Sequence, residues 1–139
     1  MTTIQTLYDF LSENGMFDDW TGPDGTTQSA PEVQRGYYDE EAVESNKRIF
    51  LIRQVSSGGG TRFASSPTFV FACAGKVNES PVFAETYLNL IYDILLEFTY
   101  RDCVSAIDPL GAVNGPMKQA SGRFVYDSEW MVKSDNGII

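Results

Sequence analysis

The sequence predicts an α+β fold, in which a largely antiparallel sheet of about four to five strands packs against two helices within a single domain, residues 1–139. Three observations support this prediction. Apolar residues recur at helical spacing near the N-terminus and again in the second half of the chain. Two runs of β-branched and aromatic residues lie between those helices. The last third of the chain alternates apolar with polar residues, as a half-buried strand does.

The first helix is predicted over residues 2–13. Thr2 or Thr3 can cap its N-terminus, and Asn14-Gly15 supplies a left-handed stop just beyond its last apolar residue. The apolar positions lie three and four residues apart, at Ile4, Leu7, Tyr8 and Leu11. This spacing places them on one helix face, which we expect to cover the sheet.

Residues 16–45 show no periodicity, so we expect a long irregular arm that either binds a partner or hides a short strand at residues 33–38. Tryptophan is enriched at the centre of protein interfaces, and Trp20 lies in an acidic part of this arm. Packing of the arm onto its own domain is an equal alternative for this tryptophan. The expected partner-binding residues of the arm are Trp20, Asp24, Tyr37 and Tyr38.

Two strands are predicted at residues 48–55 and 68–75. Both are continuous apolar runs, which suit strands in the middle of a sheet that is covered on both faces. The glycine-rich segment between them, residues 56–61, indicates a flexible hairpin connection. The tip of such a hairpin could contact a neighbouring subunit.

The C-terminal part is predicted to be extended. Residues 123–133 alternate as a strand does, with Arg123 on the polar side, and residues 117–120 form a weaker extended piece. Turn signals at residues 108–111 precede them. Residues 134–139 are expected to be a loose tail.

A second helix is predicted over residues 81–100, and it is more apolar than a surface helix needs to be. Its polar residues form one narrow stripe, at Glu85, Asn89, Asp93 and Glu97. A helix that is apolar almost all round is covered on several sides, so we expect its own sheet on one side and a second copy of the chain on the other. Arg101 lies four residues after Glu97, where the two side chains can pair. The expected subunit-interface residues are Tyr87, Leu88, Ile91, Tyr92 and Leu95 on this helix and Gly58, Gly59 and Gly60 in the hairpin.

The composition offers little for catalysis. The chain has no histidine, which removes the commonest general base and the commonest metal ligand. The glycine-rich segment lacks the lysine of a phosphate-binding loop, and the acidic residues near Asp18 and Asp24 do not have the spacing of a calcium loop. We therefore predict no catalytic residue, no cofactor and no metal. Cys73 and Cys103 fit free thiols in a reducing compartment, and no run is long and apolar enough to predict a membrane span.

The net charge of −9 argues against a basic footprint on nucleic acid, since that affinity comes mainly from Lys and Arg neutralising phosphates. It does not exclude proximity to DNA. An acidic wall repels DNA and keeps it from sticking, which suits a conduit through which DNA passes without specific binding.

The order of elements is distinctive when its motifs are taken together: a short first helix, residues 31–35 (Pro-Glu-Val-Gln-Arg), 48–53 (Arg-Ile-Phe-Leu-Ile-Arg), 69–72 (Phe-Val-Phe-Ala), the helix 86–98, residues 114–118 (Asn-Gly-Pro-Met-Lys) and 122–126 (Gly-Arg-Phe-Val-Tyr). Over most of its length the chain thereby resembles the tail terminator (tail completion) proteins of long-tailed bacteriophages. The likeness lies in the order of the elements and in the pattern of residues within them, and not in a single signature motif.

The resemblance implies a non-enzymatic homo-oligomeric ring, typically a hexamer, that caps the tail tube, stops polymerisation of the tail tube protein and joins the tail to the head–tail connector. It also implies synthesis in the host cytoplasm and a final place at the head-proximal end of the virion tail. Two alternatives stay open. One is a head completion or stopper protein of the phage neck, and the other is a small carboxylate enzyme or a monomeric regulator that binds a protein through residues 16–45.

Overall fold

The structure is a computed structural model that describes residues 2–21, 25–56 and 64–135, so Asp24, Gly58, Gly59, Gly60 and residues 136–139 lie outside the described residues. The helices are α1 (Thr3–Glu13), a short 3-10 helix (Glu40–Ala42) and α2 (Val82–Leu96). The strands are β1 (Trp20–Thr21), β2 (Thr27–Gln28), β3 (Glu32–Arg35), β4 (Ile49–Ser56), β5 (Ala64–Ser65), β6 (Thr68–Ala74), β7 (Val104–Pro109), β8 (Asn114–Lys118) and β9 (Phe124–Asp135).

Seven of these strands form one sheet within the described part of the chain. Across the sheet the order is β3, β4, β6 and β9; β3 runs parallel to β4, and the other neighbours are antiparallel. The long strand β9 pairs along one side with β5 and β6 and along the other with β7 and β8. The predicted fold class is confirmed, with more strands than expected because β5 and β7 also pair with β9.

Both α-helices pack on the same face of the sheet. Side chains alternate along a strand, so Phe69, Phe71 and Cys73 of β6 all turn toward the helices. The remaining buried members of this core are Leu7, Leu11, Phe50, Ile52, Ala84, Tyr87, Leu88, Ile91, Leu95, Val104, Tyr126, Trp130 and Val132. The helical spacing predicted for α1 is confirmed by the burial of Leu7 and Leu11.

The opposite face of the sheet, which we call the open face, carries a much smaller cluster. Ile49 and Ala74 turn to this side and pack with Val43, and Tyr38 and Val125 lie partly buried against them. Neither α-helix contributes to this cluster. Its cover comes from the connection between β3 and β4, which crosses back over the sheet.

Helix α2 is shorter than the predicted helix. It ends just before Glu97, its C-cap residue, and Phe98 then turns inward so that its ring centroid lies 4.9 Å from that of Phe10. Arg101 therefore leaves the helix axis and donates from Nη1 to Glu13 Oε2 at 2.6 Å. The predicted pairing of Arg101 with Glu97 is wrong, because the helix ends before Arg101 can lie one turn above it.

Three further differences concern the strands. The candidate strand at residues 33–38 is confirmed in part as β3, and β1 and β2 show that the arm is less irregular than expected. Strand β7 was missed because Asp108-Pro109 reads as a turn in the sequence. Proline is tolerated at the end of a strand that lies outermost in a sheet, which is where β7 places Pro109. Residues 134 and 135, expected in the loose tail, belong to β9.

Candidate partner-binding surfaces

One face of α2 is fully used by the chain itself. Four of the predicted interface residues lie on it: Tyr87, Leu88, Ile91 and Leu95. Tyr87 is 5% exposed and the other three are completely buried. Tyr92 is half-buried, with its ring centroid 5.0 Å from that of Trp130. Within the subunit, the sheet and α1 therefore already cover these residues.

The other face of α2 is exposed and combines apolar with acidic side chains. Val82 is 64% exposed, Leu90 40% and Leu96 55%. The polar stripe predicted from the sequence lies among them: Glu85, Asn89, Asp93 and Glu97. We call these seven residues the outer face of α2. On this face the exposed apolar side chains are interspersed with polar ones, and no other described element covers them.

One hydrogen bond attaches the arm to α2, and a second one joins two segments of the arm to each other. Tyr87 Oη donates to the carbonyl oxygen of Met16 at 2.6 Å, and Asp19 Oδ1 accepts from the Ala30 N–H at 3.2 Å. Burial raises the pKa of the Tyr87 hydroxyl, so it remains protonated and can donate. This part of the arm therefore packs on its own domain, which was one of the two readings of the sequence.

The predicted partner-binding residues of the arm differ in their exposure to solvent. Tyr37 is 70% exposed and Trp20 is 39% exposed. Tyr38 instead lies half-buried on the open face. Two aromatic side chains of the arm are therefore available to a partner, and they lie on different segments of it.

A stack of side chains supports Trp20. Its ring centroid lies 5.9 Å from that of Phe83, and the Arg48 guanidinium carbon lies 3.5 Å from the Phe83 ring centroid. Arg48 donates from Nε and Nη2 to the Glu79 carboxylate at 3.0 and 2.6 Å. Burial alone would raise the pKa of Glu79, but the hydrogen bonds from Arg48 and from the Lys76 N–H hold that pKa below its usual value. Trp20 is thus held on a rigid base, as an interface anchor requires.

The open face carries a shallow apolar groove of about 120 Å³. It is lined by Tyr38, Ile49, Leu51, Ala72, Ala74, Gln119 and Val125. The Tyr38 hydroxyl at its edge is buried without a hydrogen-bond partner among the described residues. Burial, and then the nearby charge of Glu40, raise the pKa of this hydroxyl. The groove is apolar and open on one side, so it suits an apolar side chain better than a charged ligand.

The cover over the open face is held by Arg123, which the sequence placed on the polar side of β9. Arg123 is instead 1% exposed. Its guanidinium donates to the carbonyl oxygens of Lys47 at 2.6 Å, Gly75 at 2.8 Å and Glu44 at 2.8 Å. Its Nε lies 3.1 Å from Glu40 Oε1 in an ion pair without hydrogen-bond geometry. No sequence signal distinguishes this buried arginine from the exposed ones, because its partners are main-chain atoms.

The described residues offer no group of three or more His, Cys, Asp or Glu side chains that could hold a metal ion. Glu40, one of the acidic residues of the arm, is occupied by Arg123 and by a short hydrogen bond from Ser121. Within the described ranges, no helix has the length and apolarity to cross a membrane.

The comparison with known proteins agrees with this description. Residues 1–135 match the family of phage tail termination proteins, a stretch that includes every helix and strand described above. No curated protein matches the chain. The family is one of structural components of the phage tail, and the resemblance drawn from the order of elements is confirmed at that level. Because the match covers nearly its whole length, this chain belongs to the phage tail termination protein family.

Proposed function

We propose that the protein forms a closed ring of identical subunits that caps the phage tail tube, stops its polymerisation and joins the tail to the head–tail connector. Membership of the tail termination family supports this proposal. The single structural observation that carries it is the exposed outer face of α2, which a lone subunit leaves in water. We propose six copies, as the resemblance implies.

A ring of identical subunits needs two unlike surfaces on each subunit, because each contact joins the front of one copy to the back of the next. The outer face of α2 lies on the helical side of the domain and the open face lies on the opposite side of the sheet. Surfaces on opposite sides of one subunit can both be used at once. This arrangement favours a head-to-tail contact, which closes into a ring when the rotation between copies allows it, over an isologous dimer, in which one surface would meet itself.

The tail tube protein and the connector would contact surfaces that the subunits do not use in forming the ring. Our candidates for these contacts are the exposed Tyr37 and Trp20. Trp20 packs on the Phe83 ring, which the Arg48 guanidinium also contacts. DNA passes through the lumen without specific binding, since a chain with a net charge of −9 repels the phosphates. The protein would then lie at the head-proximal end of the tail.

A tube-assembly experiment tests this function. Tail tube protein is polymerised with and without the purified protein, and tube lengths and tube ends are measured in negative-stain images. We expect a ring at one end of the tubes and shorter tubes as the protein concentration rises. Tubes of unchanged length with bare ends would contradict the proposal. Binding to the connector but not to tubes would instead support a head completion or stopper protein.

A further inference from the structure

The central strands are apolar on both faces, yet within the described residues α-helices cover only one of them. Phe50 and Ile52 of β4 turn toward the helices, while Ile49 and Leu51 turn to the open face. Strands with continuous apolar runs are typical of sheets that helices cover on both sides. Here the second cover is a loop contact that leaves the apolar groove of about 120 Å³. The connection between β3 and β4 leaves Leu51 8% exposed, and no α-helix of the described residues lies on this face.

We infer that α2 of the neighbouring copy forms a second helical layer there: the outer face of α2 in one subunit packs on the open face of the next. The inference rests on the proposed ring and names the two surfaces that form it. It replaces the pair of surfaces expected from the sequence, the buried side of α2 and the hairpin. The contact would complete a helix–sheet–helix sandwich across each subunit boundary.

The outer face of α2 is acidic, whereas the open face carries basic side chains. The outer face has three carboxylates, Glu85, Asp93 and Glu97, and residues 77–100 contain no Lys or Arg. Asp93 and Glu97 are exposed and form no ion pair with another described residue. On the open face, Arg53 and Lys133 are exposed and likewise lack an ion pair within the described ranges. Arg53 and Lys133 of the open face can thus pair with carboxylates of the outer face of α2.

The same face also carries Asp127 and Glu129, which follow one another on its side of β9. They would repel the carboxylates of α2. The register pairs Arg53 with Val70, and Val70 with Glu129, so Arg53 lies two strands away from Glu129. The acidic end of α2 is accordingly placed over β4, on the side of Arg53 and the groove.

The shapes agree as well. Leu90 and Leu96 are the protruding aliphatic side chains in the second half of α2, at 40% and 55% exposure. The groove beside Leu51 is lined almost entirely by apolar atoms and is open to one side. A protruding leucine that enters such a groove removes apolar surface of both subunits from water, which drives most protein association.

Directional cross-linking tests this contact. One copy carries Leu90→Cys and a second copy carries Arg53→Cys, both in a Cys103→Ser background; Cys73 is completely buried, and burial raises the pKa of its thiol, so it stays unreactive. The copies are mixed at about 10 µM with a short bis-maleimide. Two sites held together experience an effective concentration in the millimolar range, so we expect mixed dimers to form about 100-fold faster than by random collision.

Two controls accompany the mixture. Each single-cysteine protein alone should give little product, because a heterologous contact never joins a surface to itself. Tyr37→Cys, whose parent side chain is 70% exposed, replaces Leu90→Cys in the matched control and should react only at the random rate. Circular dichroism of all variants verifies that the fold is kept.

The outcomes separate this inference from the proposed function. Wild-type rings in negative-stain images, combined with mixed dimers at the control rate, would overturn the pairing of these faces and leave the ring intact. Fast mixed dimers without closed rings would support the pairing and contradict the ring. Slow cross-linking of a protein that stays monomeric even on tail tubes would contradict both.

Discussion

The buried arginine of β9 gives the sharpest test of how this domain is held together. We predict that Arg123→Met lowers the free energy of unfolding by about 3–5 kcal/mol. The guanidinium supplies donors to three main-chain carbonyl groups, those of Lys47, Gly75 and Glu44. Leaving a buried acceptor without a donor costs about 1–3 kcal/mol.

The location of each bond narrows that estimate. Only the bond to Gly75 is fully buried, whereas those to Lys47 and Glu44 are partly buried and water can replace them. Glu40, the ion-pair partner, is 30% exposed and can be rehydrated. The total decrease in the free energy of unfolding should therefore lie near the lower end of the range for three fully buried acceptors without donors, at about 3–5 kcal/mol.

Urea unfolding, followed by the fluorescence of the buried Trp130, measures the change. Arg53→Met is the matched control, because Arg53 is exposed on the same sheet and its loss should alter stability by no more than about 0.5 kcal/mol. Arg123→Lys keeps the charge but not the planar fork of donors, so an intermediate loss is expected. A loss below about 1 kcal/mol for Arg123→Met, with the slope of the urea dependence unchanged, would refute the reasoning.

Three further predictions concern other parts of the molecule. Leu88→Ala should lower the free energy of unfolding by about 2–5 kcal/mol, because Leu88 is completely buried, whereas Leu96→Ala on the outer face of α2 should change it by no more than about 0.5 kcal/mol; urea titrations measure both. The pKa of Glu79 is lowered in the folded state, so its pairing with Arg48 stabilises the fold above the unfolded pKa of about 4.3, and that stabilisation is lost as the pH falls through the lower folded pKa. Melting temperatures of the wild type and Glu79→Gln should differ at pH 7 and converge in strong acid. Trp20→Ala should keep the fold and the ring but weaken binding to tail tubes or connector about tenfold or more, as measured by co-sedimentation.

Each of these has an outcome that would count against it. Equal losses for Leu88→Ala and Leu96→Ala would mean that the two faces of α2 do not differ in burial. A stability difference for Glu79→Gln that persists unchanged into strong acid would show that the effect does not arise from the charge of the carboxylate. Unaltered binding by Trp20→Ala would remove this residue from the partner-binding surface.

The helices and central strands were predictable because each shows a regular local pattern of apolar residues. The spacing of Leu7 and Leu11 indicates which side of α1 is buried, and the continuous apolar runs of β4 and β6 indicate strands with two apolar faces. The polar stripe of α2 was also placed correctly, since it lies on the exposed side. Local periodicity therefore sufficed for elements whose environment is uniform along their length.

The candidate surfaces were less predictable, because apolar residues of α2 look alike in the sequence. Leu88 is completely buried and Leu90 is 40% exposed, and only the direction from which the sheet approaches distinguishes them. Arg101 illustrates the same limit, since its partner Glu13 lies in a different helix. Contacts between residues far apart in the chain leave no trace in local spacing.

By itself, the sequence determined the α+β class, the one acidic stripe of α2, the two-sided apolar character of β4 and β6, and the likeness to tail termination proteins. The tertiary structure decided which side of α2 the chain covers, that Arg123 is buried under main-chain carbonyls, and that neither α1 nor α2 lies on the open face. The physical reason is that periodicity records how many faces of an element are apolar. Which partner covers each face depends on where the folded chain brings its distant segments together.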